Sequence, residues 1–230
     1  MKNFLKFWIA SLIAVVFLWG CSQSSQKQYD VSSISAPDYM LKGGKEHFAM
    51  RLPEIDAQPV LQGGVLLAGD SITEGWLWQD VDLGVQVSNH GIGWDTVTGL
   101  QSRLPQMLRH NPDKIFILIG TNDIGYQRDI KVMADELKTI IQTFQREKPK
   151  AQIYIQSVMP REAQALPMVR DINASYKNLA ENQGVNYIDL TPVFAAPNGI
   201  LNPVLTDDGL HLNAQGYEKW ASVLDEYIQN

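Results

Sequence analysis

Residues 66–73 read LLAGDSIT, an apolar run that ends abruptly in Gly-Asp-Ser. The apolar part predicts a short buried strand, and the glycine predicts a turn directly after it. A serine in this position can simply cap the helix that follows the turn. Alternatively, Ser71 is a nucleophile, which needs an activating base close to its hydroxyl. The residues that follow the other strands decide between these two interpretations.

Strand-like and helix-like stretches alternate along residues 37–230, and this part of the sequence contains no internal repeat. Short apolar or β-branched runs predict five strands, at residues 65–68, 85–88, 114–119, 152–157 and 185–190. Apolar residues recur every three or four positions in residues 128–149 and 167–184, and in a last helix starting near Asn213. Parallel neighbouring strands need crossover connections. We therefore expect an α/β fold, three-layered and doubly wound around a mainly parallel five-stranded sheet.

Polar residues follow four of the predicted strands. They are GDS at residues 69–71, SNHGIGWDT at 88–96, GTND at 120–123 and, after a loop, TDDGLHLN at 206–213. In a parallel sheet the carboxyl ends of the strands lie at one edge, where such folds bind their ligands. We therefore expect these four segments to meet at one site.

The residue types in these segments are those that acyl transfer to a serine requires. Ser71 would be the nucleophile and His211 the base that removes its proton, since imidazole titrates near neutral pH. Asp208 would orient the imidazole, and Gly209 between them allows a tight loop. The oxyanion needs fixed donors, for which the candidates are the Ser71 N–H, an N–H of the GIGW turn and the Asn122 amide.

Each of these residues has an ordinary alternative role. Ser71 can be a helix cap, Asn122 a turn residue and Asp208 a solvated loop acid. His211 alone would more often be a structural partner than a base. The catalytic interpretation depends on finding all four residue types at the same edge of one predicted sheet.

The segments GDSI, the glycine of NHGIGWDT, GTND and DGLH resemble the four signature blocks of the SGNH, or GDSL, hydrolase superfamily. The resemblance covers roughly residues 60–230 and is closest to the branch with the platelet-activating-factor acetylhydrolase catalytic subunits and many bacterial esterases. It implies a flavodoxin-like sheet and a serine esterase that needs no cofactor. It also implies a catalytic triad of Ser71, Asp208 and His211, with Asn122 in the oxyanion hole.

The second block departs from the pattern of this superfamily. Relatives usually have glycine immediately before the acidic or basic residue of the turn, and here Trp94 precedes Asp95. We expect the backbone N–H of Trp94, with Gly93 as second choice, to join Ser71 and Asn122 as oxyanion donors. Asp70 and Asp123 are expected to hold the loops that carry Ser71 and Asn122, rather than to act as catalytic acids.

Composition and charge exclude several other classes. The chain has 230 residues, 45% of them hydrophobic and 19% charged, with a formal net charge of −6. No basic run occurs beyond the extreme N-terminus, which argues against nucleic-acid binding. His90 and His110 have no acidic or histidine partner at ligand spacing, so no metal site is expected.

Residues 1–20 have the layout of a secretory signal peptide, with two lysines followed by an apolar run from residue 7 to 18. The following Cys21, the only cysteine of the chain, makes this segment resemble a bacterial lipobox, which implies lipidation of Cys21. The polar residues 21–36 would then form a flexible tether to a hydrolase domain at 37–230. Ser22 favours the outer membrane, facing the periplasm. An uncleaved anchor or a plain secretory signal are the alternatives.

The predicted function is hydrolysis of short-chain esters, acetyl esters in particular. Trp76, Trp78 and Trp94 near the expected pocket suit a sugar face or a small acyl group, so a small-molecule or glycan ester is the expected substrate. Core packing is the alternative role for Trp76 and Trp78. The alternative functions are a lysophospholipase or thioesterase acting on long acyl chains, and a non-catalytic glycan-binding lipoprotein.

Overall fold

The computed structural model describes residues 31, 34–78 and 82–229 of the chain. The predicted signal peptide, Cys21 and most of the predicted tether therefore lie outside the described residues. Within the described ranges, no helix combines the length and the apolar character needed to cross a membrane.

A five-stranded sheet forms the centre of the molecule, and all its strands are parallel. Their order across the sheet is β2-β1-β3-β4-β5. The strands are β1 (Val65–Gly69), β2 (Val87–Gly91), β3 (Lys114–Leu118), β4 (Gln152–Gln156) and β5 (Asn186–Ile188). The predicted doubly wound α/β fold is confirmed.

Helices cover both faces of this sheet. In chain order they are α1 (Lys42–Asp56), α2 (Ser71–Gly75), α3 (Val97–Ser102), α4 (Leu104–Met107), α5 (Thr121–Gly125), α6 (Ile130–Glu147), α7 (Leu166–Gln183), α8 (Thr191–Phe194) and α9 (Ala214–Ile228). The apolar sides of α3, α4, α6 and α7 pack on one face of the sheet, and those of α8 and α9 on the other. The predicted helices at α6, α7 and α9 are present, and Asn213 caps α9 by accepting the N–H of Gly216.

Strand β2 begins two residues later than predicted and continues to Gly91. The sequence is misleading here because Ser88, Asn89 and His90 are polar, although all three are buried. Their side chains bond to neighbouring groups, for example Asn89 Nδ2 to the Thr73 carbonyl at 2.7 Å. Internal hydrogen bonds let an edge strand bury polar residues that a search for apolar runs excludes.

Helix α1 is absent from the sequence-based prediction. It contains Gly43, Gly44 and Pro53, which lower its helix propensity. A helical signal is nevertheless present, because its buried residues Gly44, Phe48, Arg51 and Ile55 recur every three or four positions. The helix packs beside the turn after β2, where Phe48 and Ile55 contact Ile92 in a small separate core.

The strand order reverses between β1 and β3, which are hydrogen-bonded neighbours. After β1 the chain crosses outward to β2, and it then returns past β1 to β3. Ser71 lies two residues beyond the end of β1, and Asn122 lies four residues beyond the end of β3. Crevices at such a reversal, outside the carboxyl ends of the strands, are where open α/β sheets bind ligands.

Candidate active site

The turn between β1 and α2 presents the Ser71 hydroxyl. Ser71 is the first residue of α2, and it is Asp70 rather than Ser71 that caps this helix, through an Oδ1 that accepts the Ile72 N–H at 3.0 Å. The capping role weighed for Ser71 is therefore wrong. Because Asp70 satisfies the helix end, the Ser71 side chain is available for other contacts.

The Ser71 hydroxyl contacts the imidazole of His211, with 3.0 Å between Oγ and Nε2. On the other side of the ring, His211 Nδ1 lies 2.7 Å from Asp208 Oδ2. Gly209, at φ 80°, lets the loop turn tightly enough for both side chains to meet. These contacts join serine, imidazole and carboxylate in one hydrogen-bonded line.

Asp208 is held as a carboxylate. Its partial burial would by itself raise the pKa, but hydrogen bonds from the His211 ring and from the backbone N–H groups of His211 and Leu210 outweigh that effect and lower the pKa to about 2. An ionised carboxylate only accepts hydrogen bonds. The proton on the imidazole is therefore held at Nδ1, and Nε2 is left as the acceptor that faces Ser71.

The turn after β2 forms another wall of the site, and Trp94 lies at its exposed end. Trp94 has φ 68°, a left-handed conformation that favours glycine, and its side chain is half exposed. The backbone thus takes the shape expected where relatives have glycine. Next to it, the Asp95 carbonyl accepts a hydrogen bond from Asn122 Nδ2 at 2.9 Å. This contact orients the Asn122 side chain beside the turn.

The two alternative donors in this turn have different partners. The Gly93 N–H donates to Glu74 Oε2, so this amide is already committed. Among the described residues, no acceptor takes the N–H of Trp94. Of the two, Trp94 is therefore the amide without an acceptor in the described part of the structure.

Asp70 and Asp123 are buried and make contacts that hold the surrounding loops. Asp123 Oδ2 accepts the Val97 N–H at 3.2 Å, and its Oδ1 pairs with Arg128 Nη1 at 2.8 Å. Burial raises the pKa of Asp70 to about 7 and that of Asp123 to about 6. Neither carboxylate lines the cleft beside Ser71.

A cleft of about 320 Å³ opens beside Ser71. Its lining residues include His47, Ser71, Glu74, Gly93, Trp94 and His211. His47 and Glu74 were missed from the sequence: His47 belongs to the unpredicted helix α1, and Glu74 resembles an ordinary charged residue in a short helix.

Trp76 is buried in the core against Trp220, with 4.8 Å between ring centroids, which corrects its suggested place near the pocket. The side chain of Trp78 lies outside the described part of the structure.

His90 and His110, which sequence spacing had left without partners, contact one another. Their Nε2 atoms are 3.1 Å apart, and His110 Nδ1 accepts the Leu61 N–H at 3.0 Å. Burial lowers the pKa of both rings, that of His110 to about 4. Across the described residues, no group of three or more histidine, cysteine or acidic side chains could hold a metal ion.

Residues 67–219 match the sequence profile of the GDSL-like Lipase/Acylhydrolase family, which covers more than half of the chain. The chain belongs to this family. The resemblance to SGNH, or GDSL, hydrolases is thereby confirmed, and the protein is an ester hydrolase of the GDSL type. One relative is the platelet-activating factor acetylhydrolase IB subunit alpha2 of Rattus norvegicus, 27% identical over 71% of this chain and 75% of the relative.

Solved structures of a GDSL-like lipase and of an acetyl xylan esterase share the fold. A GDSL-like lipase from Bacteroides thetaiotaomicron superposes with a TM-score of 0.70 at 20% identity, over 79% of this chain and 97% of that one. The acetyl xylan esterase AlAXEase superposes with a TM-score of 0.61 at 20% identity, over 72% of this chain and 99% of that one. The three-layer architecture is therefore shared at low sequence identity.

The backbone at Trp94 generates a prediction for this GDSL hydrolase. We expect the Trp94→Gly variant to be more stable to unfolding than Trp94→Ala by about 1 kcal/mol, because only alanine retains a Cβ that the left-handed conformation disfavours. Both variants lack the indole, so the comparison isolates the backbone. Urea unfolding followed by circular dichroism measures the difference.

The matched control is Met50, an exposed residue within α1. In a helix interior the order reverses, and Met50→Ala is expected to be more stable than Met50→Gly by about 1 kcal/mol. Equal stability of the two Trp94 variants, with the Met50 pair behaving as expected, would contradict a left-handed Trp94.

Proposed function

We propose that this GDSL hydrolase is a serine esterase that acts on short-chain carboxylic esters, preferentially acetyl esters, with esters of carbohydrates as the substrate class. The observation that carries the proposal is the hydrogen-bonded line from Ser71 through His211 to Asp208, with contacts of 3.0 and 2.7 Å. Serine, imidazole and carboxylate in this order are the arrangement that activates a hydroxyl for attack on an ester carbonyl.

In the proposed reaction, Ser71 Oγ attacks the ester carbonyl carbon while His211 Nε2 removes the hydroxyl proton. The imidazolium that forms is stabilised by the Asp208 carboxylate, and it then gives its proton to the oxygen of the leaving alcohol. Water attacks the acyl-serine in the second half, again with His211 as base. The cycle releases the carboxylic acid and regenerates Ser71.

The tetrahedral intermediate carries a negative oxygen that needs fixed donors. We assign this role to the backbone N–H groups of Ser71 and Trp94 and to the Asn122 side-chain amide, and Gly93 becomes the weaker candidate because its N–H bonds to Glu74. The Asn122 side-chain amide has two N–H groups. One donates to the Asp95 carbonyl, and the other is available to the oxyanion. Loss of a single oxyanion donor typically costs about 3 kcal/mol of transition-state stabilisation.

Two observations support acetyl esters over longer acyl groups, and a third supports a carbohydrate as the alcohol. The cleft of about 320 Å³ is at the lower end of the range of about 300–1,000 Å³ for ligand pockets. Five curated relatives are named platelet-activating factor acetylhydrolase subunits, and an acetyl xylan esterase shares the fold. The half-exposed Trp94 indole also provides a flat apolar surface at the cleft, of the kind that sugar rings stack on.

Replacement of Ser71 tests the proposed nucleophile. We expect Ser71→Ala to lower the hydrolysis of p-nitrophenyl acetate by about a thousandfold or more, because no other group takes over covalent attack. The parent should be labelled by a fluorophosphonate probe, whereas the variant should not. The control is Ser222→Ala, an exposed position on α9, which should keep both activity and labelling. Parental activity in Ser71→Ala would contradict this mechanism.

A chain-length series tests the acyl preference separately. We expect kcat/KM for p-nitrophenyl esters to be highest for acetate or butyrate and to fall through octanoate to palmitate, because the cleft is small. After this series, acetylated sugars are tested as substrates in the same way. A maximum at eight carbons or more would instead support the long-chain lysophospholipase or thioesterase alternative.

We also propose that the mature protein is anchored to the bacterial envelope through lipid on Cys21, most simply at the outer membrane with the enzyme facing the periplasm. The sequence of residues 1–22 is the support for this proposal. Labelling cells with radioactive palmitate tests it. The parent and the control Ser24→Ala should be labelled and sediment with membranes, while Cys21→Ser should be unlabelled. Label on Cys21→Ser would refute lipidation at this residue.

A further inference from the structure

A second histidine, His47, lines the same cleft as the proposed catalytic residues. It lies on α1, outside the segment that matches the family profile. Its side chain is one-third exposed, whereas the neighbouring Glu74 side chain is only 6% exposed. The imidazole therefore bridges a buried carboxylate and the open cleft.

Glu74 fixes the orientation of this ring. His47 Nε2 lies 2.8 and 3.1 Å from the two carboxylate oxygens of Glu74. The same carboxylate accepts the Gly93 N–H, and the Arg51 guanidinium lies 3.7 Å away. Because a carboxylate accepts hydrogen bonds, the His47 nitrogen that faces it is the one that carries a proton.

The opposite side of the His47 ring forms no hydrogen bond with a described residue. The Cδ2–Nε2 edge lies against Gly93, since a Cβ built on that glycine would be 3.0 Å from both atoms. Nδ1 is across the ring from this edge, and no described residue forms a hydrogen bond with it. When the ring is neutral, Nδ1 is an acceptor whose orientation is set in advance by Glu74.

The position of His211 indicates which part of an ester would reach His47. His211 Nε2 must give its proton to the leaving alcohol, so the alcohol portion has to lie beside His211. His211 and His47 line one continuous cleft, and Asn122, a proposed oxyanion donor, is not among its lining residues. The cleft therefore has to hold the alcohol portion of the substrate beside His211 as well as the acyl group at Ser71.

We propose that His47 is a specificity-determining residue whose Nδ1 accepts a hydrogen bond from a free hydroxyl on the alcohol portion of the ester. The favoured substrates would then be acetyl esters of polyols or sugars that retain a neighbouring hydroxyl. This inference rests on the proposed esterase function and adds the feature that the alcohol must carry. Esters of simple alkyl alcohols leave Nδ1 without a substrate partner.

The test compares two acetyl esters of three-carbon alcohols, glycerol 1-monoacetate and propyl acetate, by the release of acetate. The measured quantity is kcat/KM for glycerol 1-monoacetate divided by kcat/KM for propyl acetate. Effects of the acyl group and of the proposed catalytic residues cancel in this ratio because they are the same for both esters. We expect this ratio to fall about tenfold in His47→Gln, the size of one hydrogen bond between neutral groups. Glutamine can still reach Glu74 with its amide, but it lacks an atom at the Nδ1 position.

Two further variants complete the test. His47→Asn places an amide atom near the Nδ1 position and should restore part of the ratio, although it gives up the contact with Glu74. Glu46→Gln, an exposed neighbour on α1, should leave the ratio at the parental value. A parental ratio in His47→Gln together with a reduced ratio in His47→Asn would mean that the Glu74 contact, rather than Nδ1, controls specificity, and would overturn the proposal.

The outcomes separate this inference from the proposed function. If parent and His47→Gln hydrolyse both esters with the same ratio, His47 does not bind the alcohol, but the esterase proposal stands. If the parent hydrolyses neither these esters nor p-nitrophenyl acetate, the proposed function fails and the inference fails with it.

Discussion

A buried ion pair between Arg103 and Asp95 is the interaction on which the geometry of the candidate site depends. Both side chains are fully buried, with 2.8 Å between Nε and Oδ2. The guanidinium also donates to the Gly69 carbonyl at the end of β1, at 2.9 Å. On the other side, the Asp95 carbonyl accepts the Asn122 amide. One arginine thus links the segment before Ser71 to the turn after β2 and, through it, to the segment after β3.

A buried ion pair of this kind adds little net stability, so its role is to fix the positions of the groups that it contacts. Desolvation offsets much of the attraction between buried charges, and well-packed apolar residues of similar size are often as stable. Removal of one partner is costly, about 3–5 kcal/mol, because the other charge is left buried and unpaired. An apolar pair could not bind the Gly69 carbonyl or fix the Asp95 backbone. The pair therefore anchors Asp95 directly after the left-handed Trp94.

The sequence predicted those features of the fold and the candidate site that depend only on the type of a residue and its place along the chain. The predicted strands are followed by polar residues, and parallel strands end at one sheet edge. The expectation that Ser71, Asn122, Asp208 and His211 meet there followed from these two points. The sequence failed where burial is maintained by hydrogen bonds instead of apolar side chains, as in β2 with its buried Asn89. It also failed for α1, whose glycines and proline conceal a helical repeat, and with α1 it missed the second histidine of the cleft.

Two histidines of the cleft, His211 and His47, each have one ring nitrogen in contact with a carboxylate. They differ in the partner of the other ring nitrogen. In each case a carboxylate contacts one ring nitrogen, Asp208 for His211 and Glu74 for His47, and so determines what the other nitrogen can do. His211 directs its free nitrogen at the Ser71 hydroxyl, 3.0 Å away. The free nitrogen of His47 has no partner among the described residues. The buried Glu74 carboxylate fixes the orientation of the His47 ring, and Nδ1 on the opposite side of the ring has no hydrogen-bond partner among the described residues. A ring oriented in advance in this way is suited to recognise a group that only the substrate supplies.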